Sequence, residues 1–276
     1  MGASVGGEGE ELTRKQRREQ ARAQRKELEQ AEAARQARRK RLSLLGIVVA
    51  VVVVAIVAIL IATGSSTKTA LKKGTTGAST TATEVDTLLA GIPQSGNVLG
   101  NPNAPVTLKY FGDLECPICR EFTLGALPSL IGGYVREGKL KIEYHSMETA
   151  TREPETFRNQ QVAALAAGKQ DKMWHYVELF YHDQGEEDTG YVTEKFLQEL
   201  AQQVPGLNLT QWSSDRNDPA LAEQVTTDGQ TANNEGFKGT PSFLIGKSRG
   251  PTEKLEYSSL TDPSSFDAAI EKELKS

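Results

Sequence analysis

Residues 110–122 read YFGDLECPICREF, and Cys116 and Cys119 are the only two cysteines of the chain. Upstream, Ala104–Phe111 (APVTLKYF) alternates Val106, Leu108 and Tyr110 with Thr107 and Lys109 behind Pro102 and Pro105. That is the pattern of a strand. Downstream, Ile118, Phe122, Leu127, Leu130 and Tyr134 recur at helical spacing, with a bend expected near Pro128. Lys139–His145 (KLKIEYH) then puts Leu140, Ile142 and Tyr144 on one face of a second strand. Strand, helix, strand is the start of a βαβ unit.

The C-P-I-C pair therefore falls where a strand passes into a helix. A thiol at a helix N-terminus faces unsatisfied backbone N–H groups and the positive end of the macrodipole, which favours its thiolate. Pro117 suits the first helical turn, where its missing N–H has no intrahelical partner. Cys116 is thus read as the exposed nucleophile and Cys119, one turn further in, as the resolving thiol. A disulfide closing so short a loop gains only about 2 kcal/mol from chain entropy, against ~3 for 15 residues, so a structural staple is poorly placed here. The same spacing lets Cys119 attack a mixed disulfide on Cys116 intramolecularly, and redox exchange is the favoured reading. With two Cys and three His in the chain, a four-ligand zinc site is hard to assemble.

From Glu153 to Asn234 the pattern turns helical, in five short segments separated by Gly, Pro or acidic turns. An all-helical insertion at about 151–235 is expected. The sheet resumes with GTPSFLIG (Gly239–Gly246) and EKLEY (Glu253–Tyr257), which suit a hairpin, and a terminal helix follows from near Asp262, with Pro263 in its first turn.

The 276 residues carry 32 Lys/Arg and 36 Asp/Glu, unevenly spread. Residues 1–43 hold 12 basic and 7 acidic side chains, net +5; residues 44–276 hold 20 and 29, net −9. An acidic C-terminal part argues against nucleic acid as partner, because phosphate neutralisation needs a basic face. Between them, residues 42–64 carry no charge, and LLGIVVAVVVVAIVAILIA (Leu44–Ala62) would form roughly 28 Å of helix, close to the hydrocarbon thickness of a bilayer. A cleaved signal is the poorer reading, because its apolar region is shorter and a charge-rich segment of 41 residues precedes this one. Arg35, Arg38, Arg39, Lys40 and Arg41 abut the first end, against Lys68, Lys72 and Lys73 beyond the second. The positive-inside rule places the N-terminus in the cytoplasm and the rest outside the cell membrane, where disulfides persist. The expected organisation is a basic helical segment (1–41), a single transmembrane helix (42–64), a flexible Gly/Ser/Thr-rich linker (65–97) reaching roughly 30 Å, and a globular domain (98–276).

The motif YFGDLECPICREF, with LLAGIPQSGNVLGNPNAPVTL before it, the helical insertion and GTPSFLIG after it, resembles the DsbA-like branch of the thioredoxin superfamily in its membrane-anchored bacterial form, over about residues 86–276. The resemblance implies an α/β thioredoxin-like fold interrupted by the all-helical insertion. It also implies catalytic Cys116 and Cys119, with Pro117, Ile118, Thr240 and Pro241 orienting the substrate and a cis Thr240–Pro241 bond beside the cysteines. Without any cofactor, such an enzyme would form disulfides in exported cysteine-containing proteins and be recycled by a membrane redox partner, quinone-linked or similar. Many relatives carry an acidic residue six positions before the first cysteine, where this chain has Tyr110. The nearer acids, Asp113 and Glu115, are candidates for proton transfer at Cys119, although a surface charge is the plainer reading of Glu115. Ile118 cannot donate a hydrogen bond to a thiolate, so the Cys116 pKa is expected to fall less than in the Pro-His oxidants of the family.

Two other functional classes remain open: a Cu(I)-binding metallochaperone using both thiolates, and a non-catalytic membrane-anchored adaptor using the basic segment. His175, Glu178 and His182 share a helical face suited to a metal, but their apolar neighbours favour packing. His145, ending the second strand, is a candidate to approach the cysteines, but a lone His is more often simply hydrogen-bonded. Asn208-Leu209-Thr210 matches a glycosylation sequon, read as coincidence.

Overall fold

The computed structural model describes residues 76–276, so the expected basic segment and membrane span lie outside the described residues. Among the described residues no helix is long and apolar enough to cross a membrane. Helix α1 (Thr76–Leu89) leads into two short strands, β1 (Gln94–Ser95) and β2 (Val98–Leu99), and the central strand β3 (Val106–Gly112). Next come α2 (Pro117–Leu124), α3 (Leu127–Leu130) with a π-helical turn over Ile131–Val135, and β4 (Leu140–Ser146). Five helices follow: α4 (Pro154–Gly168), α5 (Met173–His182), α6 (Glu194–Gln203), α7 (Leu209–Asp215) and α8 (Pro219–Asn234). Strands β5 (Ser242–Lys247) and β6 (Thr252–Lys254) and helix α9 (Ser264–Lys275) complete the fold.

The sheet order is β1-β2-β4-β3-β5-β6, with β3 and β4 parallel and every other pair antiparallel. Strand β4 keeps the expected alternation, with Leu140, Ile142 and Tyr144 buried. Strand β3 does not, because both its faces are covered. Tyr110 enters the main core on one face, while Phe111 packs with Met147, Leu244 and Ala232 of α8 on the other. The insertion thus grips the sheet from the second face. In α5, every residue from Met173 to Tyr181 is buried, as a helix surrounded by other helices requires.

Two expectations need correction. The flexible linker was expected to run to residue 97, yet α1 and the β1–β2 hairpin are ordered parts of the domain. Val85 and Leu89 of α1 are 1% and 2% exposed, and the helix packs on α5. Threonine-rich sequence hides this helix, because a stripe confined to its last turns becomes visible only once α5 supplies the surface it covers. The break after the active-site helix lies at Gly125 rather than Pro128. A Cβ at Gly125 would sit 2.5 Å from the Glu121 carbonyl and 2.8 Å from that of Leu260, so only glycine lets this corner pass under the β6–α9 connection.

Candidate active site

Cys116 occupies the N-cap of α2, with Pro117 in the first turn, and its sulfur accepts a hydrogen bond from the Cys119 backbone N–H at 3.4 Å. Both thiols are free. Cys116 is 5% exposed and Cys119 is sealed at 0%, so the nucleophile is less open than expected, although it is the accessible member of the pair. The cover comes from across the fold. The Thr240–Pro241 bond is cis, and the Thr240 carbonyl lies 3.5 Å from Cys116 Sγ, where it accepts from the protonated thiol.

The two sulfurs are driven apart in acidity. A hydrogen bond from the Cys119 side chain is the chief cause that brings the Cys116 pKa down to about 6; burial opposes it, and the Thr240 hydroxyl and the backbone N–H groups of α2 assist. This is a milder depression than the ~3.5 of the strongest family oxidants. Cys119 goes the other way: burial, then its bond to Cys116, pushes its pKa well above the ordinary thiol value. Near neutral pH the site therefore holds one thiolate and one thiol, the arrangement that attack by Cys116 and resolution by Cys119 would require.

Asp113 is fully buried, and its carboxylate is saturated by other partners. Oδ2 accepts from the backbone N–H groups of Thr149, Ala150 and Thr151 at 2.9–3.0 Å. Oδ1 accepts from the Thr151 hydroxyl at 2.6 Å, the Glu115 N–H at 3.1 Å and Gln160 Nε2 at 3.4 Å. The bond that Asp113 offers Cys119 comes from its backbone. Its side chain organises the β4–α4 loop. Glu115, expected on the surface, is 5% exposed; burial pushes its carboxyl up, against the Thr151 hydroxyl, and Asp113 adds to the rise.

Tyr110, in the position where many relatives place an acid, is buried beneath the cysteines. Its hydroxyl lies 3.1 Å from that of Tyr181, which donates to the Asp113 carbonyl at 3.1 Å. Burial, reinforced by Cys119, keeps Tyr110 neutral. Sequence reasoning singled out Tyr110 as a departure but missed Tyr181, Thr149 and Tyr257. Tyr257 donates to the Pro241 carbonyl at 3.2 Å and, with Ile118, gives this region an apolar rim; the two side chains are 37% and 46% exposed. Thr149 meets Thr240, their hydroxyl oxygens 2.5 Å apart.

The other singled-out residues belong to packing. His145 bonds Asp228 of α8 at 2.8 Å and stacks on Phe111, away from the cysteines. His175 contacts Gln94 and Asp86, while burial pushes the Glu178 carboxyl to about 8 within α5. Asn208 caps α7 by accepting from the Gln211 N–H. Among the described residues, no three His, Cys, Asp or Glu side chains converge as metal ligands.

A βαβ core with a thiolate at a helix N-terminus, a buried partner thiol and a facing cis-proline strand defines a thiol-disulfide oxidoreductase of thioredoxin-like fold. The sequence profile of the family described as Thioredoxin matches residues 94–272, and the chain belongs to that family. It is 26% identical over 184 residues to the probable disulfide bond formation protein D of Bacillus anthracis, covering 64% of this chain and 77% of that one. The Bacillus cereus protein of the same name is 28% identical over 181 residues, covering 64% and 78%. The fold is similar to the crystal structure of oxidised BdbD from Bacillus subtilis, with TM-score 0.56, 23% identity and coverage of 67% and 97%. It is also similar to alpha-DsbA1 of Wolbachia pipientis, with TM-score 0.53, 18% identity and coverage of 68% and 92%.

Proposed function

We propose that this protein forms disulfides in exported polypeptides while tethered to the outer face of the cell membrane. What supports the oxidising direction is the seat of Cys116 at the N-cap of α2, where the Cys119 N–H lies 3.4 Å from its sulfur and its pKa is held down to about 6, while Cys119 is sealed from solvent. In the oxidised enzyme a client thiolate attacks Cys116 Sγ; the Cys116–Cys119 bond breaks, and the Cys119 sulfur leaves and takes a proton. A second client thiolate then attacks the client sulfur of the mixed disulfide and expels Cys116 as a thiolate. The client loses two electrons and the enzyme gains them. A sulfur that is stable as a thiolate is a good leaving group in that last step, and the reduced enzyme is favoured accordingly.

The apolar run 42–64 and its basic flank support the tether and an extracytoplasmic domain. A membrane redox partner that reoxidises the cysteine pair completes the cycle, as the relatives' names as disulfide bond formation proteins suggest for this chain. The test is to express Cys119→Ser in full-length form and resolve adducts without reductant. Trapped, reductant-sensitive adducts with exported cysteine-containing polypeptides are expected, together with a reduction potential for the unaltered protein above roughly −200 mV. No adducts, or a potential near the ~−270 mV of a reductase, would overturn the reading. A reporter fused after residue 276 and active only in the cytoplasm would overturn the orientation.

A further inference from the structure

We infer that the groove between α4 and α8 seats the client polypeptide on one side of its cysteine, taking an apolar side chain from an extended segment roughly three to five residues from the exchanging sulfur. The inference rests on the cysteine pair exchanging with polypeptide thiols, and it holds whichever way the electrons run. The groove has a volume of about 490 Å³, within the range of clefts that hold ligands. Its floor is apolar, from Met147, Phe157 and Val225, each 6% exposed, and its rim carries Glu148 and Arg158.

Continuity with the reaction centre identifies the occupant. Met147 and Glu148 line the groove, and the next residue, Thr149, meets Thr240 with the hydroxyl oxygens 2.5 Å apart. The Thr240 carbonyl lies 3.5 Å from Cys116 Sγ. A polypeptide joined to Cys116 by a mixed disulfide therefore has its flanking residues beside the groove in every catalytic cycle. The walls are fixed before any occupant arrives. Ser146, immediately before Met147, ties both of them to the end of β4: its N–H donates to Asp228 Oδ2 of α8 at 3.0 Å, and its hydroxyl donates to Gln161 Oε1 of α4 at 3.2 Å. Asp113 pins the stretch that follows by accepting from the N–H groups of Thr149, Ala150 and Thr151. Gly229 stands on the groove in the interior of α8, without a positive φ. A Cβ there would meet nothing within 4 Å, so neither packing within the chain nor backbone conformation calls for glycine. Glycine in a helix interior is destabilising relative to alanine. What it provides is room for another backbone to approach closely, and an extended client segment crossing α8 uses that room.

The test compares two reductants of the oxidised full-length protein: a reduced, unfolded cysteine-containing polypeptide, and dithiothreitol, which has no flanking residues. Gly229→Phe fills the groove from α8. The ratio of kcat/KM for the polypeptide to that for dithiothreitol should then fall roughly tenfold or more, as the loss of one buried apolar side chain implies. Most of the fall should lie in KM, since the lost seating serves ground and transition states alike. Thr226→Trp narrows the same wall from one turn away and should act in the same way, which keeps the inference testable if Gly229→Phe does not fold. Gly229→Ala, whose methyl meets open space, should change the ratio far less. An unchanged or higher ratio in a folded large variant would overturn the inference, whether the two rates hold or fall together. So would a dimer of the unaltered protein that Gly229→Phe separates, because the groove would then belong to a second copy. A protein that reduces polypeptide disulfides instead of forming them defeats the proposed function, while the same ratio, measured on the reverse reaction against oxidised dithiothreitol, still decides the inference.

Discussion

Replacing Cys119 with alanine should make Cys116 a weaker acid, and the size of the effect follows from the site. The hydrogen bond from the Cys119 side chain is the largest contribution holding the Cys116 pKa near 6. A bond to a charged acceptor is worth roughly 1.5–3 kcal/mol, which corresponds to about a ten- to hundredfold change in the thiolate-to-thiol ratio. At pH 7 a pKa near 6 means about nine sulfurs in ten are thiolate, so the variant should fall to between about a half and a tenth. The backbone N–H of Cys119, 3.4 Å from the sulfur, and the Thr240 hydroxyl remain, which keeps the variant below the ordinary thiol value of 9.0. Absorbance titration of the reduced variant against the reduced parent measures this directly. Alkylation rates should move less, since a thiolate of higher pKa is intrinsically more nucleophilic. An unshifted titration would refute the reasoning by showing that the helix N-terminus alone sets the acidity.

Asp113→Asn removes one oxygen acceptor and aims an amide at donors, so it should destabilise the oxidised protein by on the order of 3 kcal/mol in a denaturant titration. Gly125→Ala should cost several kcal/mol by the same measurement, roughly the upper end of overpacking penalties, because backbone atoms of two segments bar its Cβ. His145 supplies the pH test. Burial opposes its charge, but Asp228 at 2.8 Å and Glu143 at 3.7 Å outweigh that and raise its pKa above the ordinary 6.5. A raised folded-state pKa stabilises fully below the unfolded value and is lost as pH rises through the folded one. The oxidised protein, in which neither cysteine titrates, should therefore lose stability across that window, and His145→Gln should flatten the loss; a slope that survives the substitution would exclude His145 as its source.

Much of this site could be read locally. A cysteine between a strand and a helix with proline behind it lies at a helix N-terminus wherever that helix packs, so the placement of Cys116 at the N-cap and of Cys119 one turn further in followed from four adjacent residues. The five insertion helices were equally visible, since their apolar spacing and breakers are features of neighbouring residues. The linker was misjudged for the converse reason: the three apolar residues Val85, Leu88 and Leu89 mean little until α5 lies against them. Glu115 was misplaced because the sequence does not show that the insertion closes over the loop before α2.

What the order of residues determined by itself is the chemistry of the cysteine pair and the succession of elements, because periodicity, caps and helix termini act over a few positions. What tertiary structure alone decided is the company those sulfurs keep. Thr149 and Thr240 stand 91 positions apart, Asp113 and Tyr181 68, and His145 and Asp228 83. A hydrogen bond needs its atoms within about 3 Å, and over such separations only the packing of strands and helices brings them together.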